Sequence, residues 1–411
     1  MLVTRILYTC LAFCTALMVG HGQPFDYRFR HWNASHGLNS TSCLSLVRGE
    51  DGYLWVGTST GLHSFNGVRF SKENYLAGLP ETDGRTGHLH YAKNGYLWVG
   101  VDGLGVGRYK PLDGSENRQW YPFGAGPGGN WPNASALRCM LADPKGQLWL
   151  GSENEGLFRL NADKSTRQKI SLDSNKVEYW RSVRSLYLLD SNTLAVGFIN
   201  ALVTINIHTG EVFYPEIMVK DGKRQPSYWD IRPWKGDTLI VGADRGVYFL
   251  NKRTWELSQY IPKVEPRIWA NFACIKVLPF SENEIWIASE RYGLIFLNPY
   301  TGQWKSTLDG GAGSIVSKRI NDIYRDTDGT IWMAHDMGIS SYDPSYNQIR
   351  NHPLTEAIFF RQYMSATASP SGKIYYPTTN GMGEFRIDSH TVIDRKHQIN
   401  DLLSRRQHVF W

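Results

Sequence analysis

The chain has 411 residues, with 44 Lys and Arg against 38 Asp and Glu and a formal charge of +6. Its basic residues are interspersed with acidic ones rather than gathered in a run, which argues against the electrostatic footprint of a nucleic-acid-binding protein. Forty glycines and a high aromatic content (15 Trp, 22 Tyr, 17 Phe) favour strands and turns over long helices, and five cysteines are too few for a disulfide scaffold.

Residues 1–22 carry one cation, Arg5, then an apolar run from Ile6 to Val19 and the small residues Gly20 and Gly22. This is the layout of an export signal, because about 14 apolar residues fall short of the roughly 20 that span a bilayer as a helix. No later stretch is apolar enough to cross a membrane. Cys43, Cys139 and Cys274 follow the signal, each inside a short apolar run, and are expected to be free buried thiols.

From residue 53 onward one element recurs. Tyr53-Leu54-Trp55-Val56-Gly57, Tyr96-Leu97-Trp98-Val99-Gly100 and Gln147-Leu148-Trp149-Leu150-Gly151 are close copies. Weaker copies end at Gly197, Gly242, Ala288, Ala334 and Pro377, at spacings of 43, 51, 46, 45, 46, 46 and 43 residues. That period is the size of a propeller blade. An alternating run and an Asp/Gly turn precede each motif, as in Ile320–Arg325 and Asp326-Thr327-Asp328-Gly329. A Gly-apolar strand such as Gly293-Leu294-Ile295-Phe296-Leu297 and a polar fourth strand follow it.

The fold expected is therefore all-β, a β-propeller of four-stranded blades. In it the motif lies on the second strand, with Trp55, Trp98, Trp149, Trp286 and Trp332 as packing residues. The small residue two places later lets the next blade approach.

The run Met140-Leu141-Ala142-Asp143-Pro144-Lys145-Gly146-Gln147-Leu148-Trp149-Leu150-Gly151 resembles the two-component-regulator propeller repeats of bacterial sensors. Phe29-Arg30-His31-Trp32 followed by His36-Gly37-Leu38-Asn39-Ser40 is similar to the start of the periplasmic half of hybrid two-component systems, and the resemblance spans residues 27–390. It implies a periplasmic propeller that senses glycans or their breakdown products, the input part of a receptor whose β-sandwich, membrane helix and kinase are not in this chain.

The resemblance also implies seven-bladed rings. Residues 23–354 would form one ring, and the eighth repeat, 355–411, would start a second. The alternative is a single ring of eight blades, closed by Tyr27-Arg28-Phe29-Arg30 as an outer strand against the last one. A homodimer would form through domains outside this chain.

No His-Glu-x-x-His, Ser-x-x-Lys or phosphate-binding Gly-Lys-Ser/Thr motif occurs in the chain. Phe123 to Asn130 is glycine-rich but lacks a lysine and reads as a connecting loop. Asp326-Thr327-Asp328-Gly329 lacks the spacing of a calcium loop and reads as a turn. His88 and His90 have no further ligands within reach. No cofactor and no metal are expected.

What remains is the face made by loops around the central channel, where residues distant in sequence converge. Loops leading into the inner strands bring Trp131, Trp180, Arg181, Trp229, Trp269 and Asn271. Loops between second and third strands bring Arg245, Arg291, Tyr292, His335 and Asp336. Aromatic faces stack on sugar rings while Arg, Asn and carboxylates bind hydroxyls, so the expected partner is an oligosaccharide or another small molecule. Two rival readings are a streptogramin-lyase-like propeller enzyme, with His335 as the one catalytic nominee, and a scaffold that docks an envelope protein.

Overall fold

A computed structural model of the chain describes residues 27–40, 42–73, 84–111, 118–124, 131–133, 136–162, 166–220, 224–262, 269, 272–309, 314–315 and 317–345, together with the backbone of 367–368, 373–378, 381–388 and 391–398. The expected export signal, Asn271 and most of the glycine-rich loop after Phe123 lie outside these residues. No helix among the described residues is long and apolar enough to cross a membrane.

Residues 27–344 form seven antiparallel sheets, which are the seven blades of a propeller. Their inner strands are Cys43–Arg48, Thr86–Tyr91, Leu137–Ala142, Val183–Leu188, Tyr228–Pro233, Cys274–Ser281 and Ile320–Arg325. Each pairs with a second strand carrying the repeated motif: Leu54–Thr58, Leu97–Val101, Leu148–Ser152, Thr193–Phe198, Thr238–Ala243, Glu284–Ser289 and Ile331–His335. Blade 5 has an extra edge strand, Met218–Val219, parallel to Glu256–Tyr260.

The ring closes between blades 7 and 1. The Leu46 amide donates to Asp322 Oδ2 at 3.0 Å, Asn321 Nδ2 donates to the Cys43 carbonyl at 2.8 Å, and Arg48 pairs with Asp326 at 2.7 Å. Seven blades, not eight, complete the circle. The outer place in blade 7 is taken by Arg30–Trp32, which pairs antiparallel with Gly338–Tyr342 in the register Arg30↔Ser341, His31↔Ser340 and Trp32↔Ile339. The N-terminal closing strand thus belongs to the seven-bladed ring rather than to the eight-bladed alternative. It lies slightly later in the chain than expected, because Tyr27 and Phe29 are used for packing instead.

The eighth repeat forms its own antiparallel sheet of Thr367–Ala368, Lys373–Thr378, Gly381–Asp388 and Thr391–Gln398. The chain divides into two compact units at Pro344, ahead of the expected boundary at 354.

The recurring Trp and Gly serve the packing expected of them. Trp55, Trp98, Trp149, Trp286 and Trp332 are all buried. A Cβ at Gly100, Gly151, Gly197 or Gly242 would lie 2.8, 2.6, 2.6 or 2.9 Å from Leu137, Val183, Tyr228 or Cys274, which in every case is the first residue of the next blade's inner strand. The blades approach to within that one missing carbon. Gly197→Val should therefore destabilise the ring by about 3 kcal/mol and lower Tm by several degrees. A thermal melt equal to wild type would show that the blades can slide apart at no cost.

The hairpin-turn acid of the repeat also has a use. Asp143, buried, accepts from Trp149 Nε1 and Gln147 Nε2 at 2.9 Å and from the amides of Lys145 and Gln147 at 3.0 and 2.9 Å. Asp51 and Asp326 accept from Trp55 and Trp332 in the same way, at 3.2 and 3.4 Å. The acid thus satisfies the one polar atom of a tryptophan that must sit in the core. Asp326 is further held by Arg48, which is consistent with a structural turn.

Candidate functional site

Every inner strand of the ring carries a β-bulge between its first and third residues. The extra residues are Leu44, Gly87, Arg138, Arg184, Trp229, Ile275 and Asn321. A bulge turns its extra side chain out of the ladder, and all seven stand at the start of their inner strands, the end of the ring at the channel mouth. All but Gly87 are partly exposed.

A second set of residues borders the same mouth, one step past each second strand: Ser59, Asp102, Glu153, Ile199, Asp244, Glu290 and Asp336. Five of these are acidic, and each has a partner. Arg85 pairs with Asp102 at 3.3 Å, Arg138 with Glu153 at short range, Arg245 with Asp244 at 3.9 Å and Arg319 with Glu290 at 3.6 Å. Asp336 accepts from Asn321 Nδ2 at 3.0 Å and Ser42 Oγ at 3.3 Å. Burial pushes Asp102 upward, and Arg85 pulls it back.

Below the mouth the third inner-strand position forms a tier that ties the blades together. His88 Nε2 donates to the Leu137 carbonyl at 2.8 Å, Ser185 Oγ donates to the Tyr228 carbonyl at 2.7 Å, and Asp230 accepts from the Val277 amide at 3.1 Å. Lys276 and Arg232 flank Asp230 at 3.7 and 3.1 Å. These contacts join adjacent inner strands, so this tier is structural.

The residues expected at the site from sequence fall into two groups. Trp229 sits in its bulge at the mouth. Arg245 donates to the Gln225 carbonyl at 3.1 Å, Asp336 is exposed, and Arg291 is exposed on its loop. Arg181 is exposed and lies over Trp180, which is half-buried beside Gly156. Tyr292 is half-buried, with its amide donating to Ser289 Oγ at 2.7 Å.

Trp131 and Trp269, by contrast, are 2% and 1% exposed. Trp131 packs with Phe123 under the Arg167 guanidinium, and Trp269 packs among Phe272, Trp304 and Tyr260. Neither indole nitrogen has a hydrogen-bond partner among the described residues. They pack where loops meet the core.

His335 is 4% exposed and ends the second strand of blade 7. Its Nδ1 accepts from the Met337 amide at 3.2 Å, so Nε2 carries the proton donated to Ser340 Oγ at 2.7 Å, and Ser340 in turn donates to His31 Nδ1 at 2.7 Å. Ser152 and Ser289 hold the corresponding position in blades 3 and 6 and accept from loop amides in the same manner. His335 therefore fixes a loop, and burial pushes its imidazole down to about 4.

The sequence reading overlooked Arg85, Asp102, Arg138, Arg184 and Asn321. The acids carried a signal, since they stand two residues after the repeated small residue. The bulge residues carried none, because the bulge is visible only in the strand register.

No family model and no curated protein matches the chain. Solved structures do. The extracellular domains of hybrid two-component systems BT3049 and BT4673 from B. thetaiotaomicron superpose with TM-scores of 0.59 and 0.61 at 15% and 17% identity, covering 90% of this chain. The chain spans about half the length of those domains, 49% and 47%. A streptogramin B lyase is also similar, with a TM-score of 0.57 at 15% identity, covering 77% of this chain and 97% of the lyase. At such identities the likeness is one of fold, and both sensor domains and an enzyme share it.

Proposed function

We propose that the chain is the extracytoplasmic, ligand-sensing part of a two-component-type receptor, exported to the periplasm, and that it binds an oligosaccharide at the channel mouth without transforming it. The observation that carries this reading is the mouth itself. Blades from around the ring each contribute a side chain at one of two repeat positions, and the result mixes Trp229 with guanidinium, carboxylate and amide groups suited to sugar hydroxyls and a sugar face. Burial of His335 within a hydrogen-bonded loop leaves the lyase reading without its nominated base.

The two sensor domains superpose on more of the chain than its first unit contains, whereas the lyase superposes on about the extent of the ring. This supports the eighth repeat as the start of a second ring. Ligand binding would then signal by shifting the balance between arrangements of rings or protomers.

A thermal-shift screen of the full chain against neutral and acidic oligosaccharides tests the proposal. A ligand at 100 times its Kd should stabilise the fold by about 2.7 kcal/mol and raise Tm by several degrees, saturably. A flat panel over a cooperative melt would overturn the saccharide reading and favour a docked protein.

A further inference from the structure

We propose that Arg184 is an anion-binding residue of the channel mouth and that the ligand held there bears a carboxylate on a sugar ring, as a uronic acid does. The inference rests on the saccharide reading above and names the class of sugar.

The argument begins with the pairing around the mouth. Arg138 and Arg184 occupy the same bulge position in blades 3 and 4. Arg138 is held by Glu153, one step past its own blade's second strand. In blade 4 that step is Ile199, since Val183 pairs with Phe198 just as Leu137 pairs with Ser152. Arg184 is therefore a cation to which its own blade brings no acid at that step, and no carboxylate among the described residues lies within ion-pair distance of it. Its Nε is buried with no hydrogen-bond partner among the described residues, as is that of Arg138, so the two differ in the carboxylate that only Arg138 has.

A half-buried guanidinium with a buried Nε and no acid beside it is poised to take an anion. Desolvation and the neighbouring Arg138 charge already disfavour its protonated form, in keeping with an unmet need for negative charge.

Two neighbours narrow the ligand. Glu153 and Asp244, on the flanking blades, are close enough to act on Arg184 electrostatically. They would repel a multiply charged group more strongly than a singly charged one, and the planar fork of arginine matches a carboxylate with two parallel hydrogen bonds. The next bulge position, in blade 5, is Trp229, half-buried, whose aromatic face would suit the sugar ring that carries the carboxylate.

The test is calorimetric titration of the full chain with oligosaccharides of galacturonic, glucuronic and mannuronic acid, each beside its carboxyl-reduced neutral form. At least one acidic oligosaccharide should bind about tenfold or more tighter than its neutral form, and Arg184→Gln should erase that difference while leaving the melt intact. Arg184→Lys should keep part of it. Ile199→Glu should also erase it, by giving Arg184 the partner that Glu153 gives Arg138, without touching the arginine.

Equal affinity of wild type and Arg184→Gln for the acidic sugar, or undiminished discrimination in Ile199→Glu, would overturn the assignment. Neutral sugars binding as tightly as acidic ones would overturn it while sparing the saccharide reading; binding of neither class would overturn both.

Discussion

Replacing Phe29 and Trp32 together by alanine should bring the ring to the edge of unfolding. Phe29 is buried among Trp286, Phe296 and Tyr342, at centroid distances of 6.1, 6.3 and 6.2 Å. Trp32 bridges blade 7 to blade 1 through Trp332 at 5.3 Å and Phe65 at 5.4 Å. Large aromatic truncations in a core cost about 3–5 kcal/mol each, against a total stability of roughly 5–15 kcal/mol.

The same substitutions would loosen Arg30–Trp32 from Gly338–Tyr342 and leave a bare strand edge, which invites aggregation. The expected result is a melt lowered by 10 °C or more, of that order from the summed cost, with loss of cooperativity. Tyr27→Phe, which keeps the ring and removes the hydroxyl that donates to Glu284 at 2.6 and 2.7 Å, should cost far less. A double variant that melts like wild type would mean that the blade 7 to blade 1 contacts close the ring alone.

Acidification from pH 7 to pH 4 should destabilise the protein, and His63→Leu should recover a defined share of the loss. His63 lies on the third strand of blade 1 with 0% exposure, and neither ring nitrogen has a hydrogen-bond partner of good geometry among the described residues. Burial, and secondarily the Lys72 charge, push its imidazole down to about 4. Its value in the unfolded chain is 6.5, so the unfolded state takes the proton first. Stability is complete above pH 6.5 and is lost as the pH falls toward 4.

That shift corresponds to about 3 kcal/mol. His88, His90 and His335 are pushed down to about 3, 4 and 4 by burial and act in the same direction. Asp51, Asp102, Glu284 and Asp322 are pushed up by burial and oppose them. Comparing wild type with His63→Leu isolates one imidazole from this sum.

The variant should gain about 1–3 kcal/mol at pH 7 by removing two unpartnered polar atoms, and its advantage should widen by about 3 kcal/mol at pH 4. Other blades hold Phe158, Val203 and Ile295 at the corresponding place, so an apolar side chain fits there. Denaturant melts at both pH values supply the measurement. A constant difference would show that His63 is not neutral in the fold.

The blade period, the packing role of the tryptophans and the close approach at the small residue were legible in the chain because they repeat: a local rule applied eight times exposes itself. The turn acids were legible only as turn formers. Their second use, accepting the buried indole proton, depends on a side chain six residues on in Asp143 and Trp149 and four on in Asp51 and Trp55.

At the candidate site the order reversed. Loop composition pointed to Trp131 and Trp269, which the fold buries, and to His335, which it spends on a loop amide. It passed over Arg138 and Arg184, which stand at the bulges that open their inner strands.

The sequence by itself determined the architecture of the blade, since alternation, turn chemistry and a Trp-x-Gly motif every 43–51 residues admit few other arrangements. Only the tertiary structure decided the number of blades, because closure depends on whether the Asp322 carboxylate meets Leu46 or some later strand. It alone decided the charge pattern of the mouth. That pattern arises from residues of different blades, whose approach is a property of ring curvature and strand register rather than of any local segment.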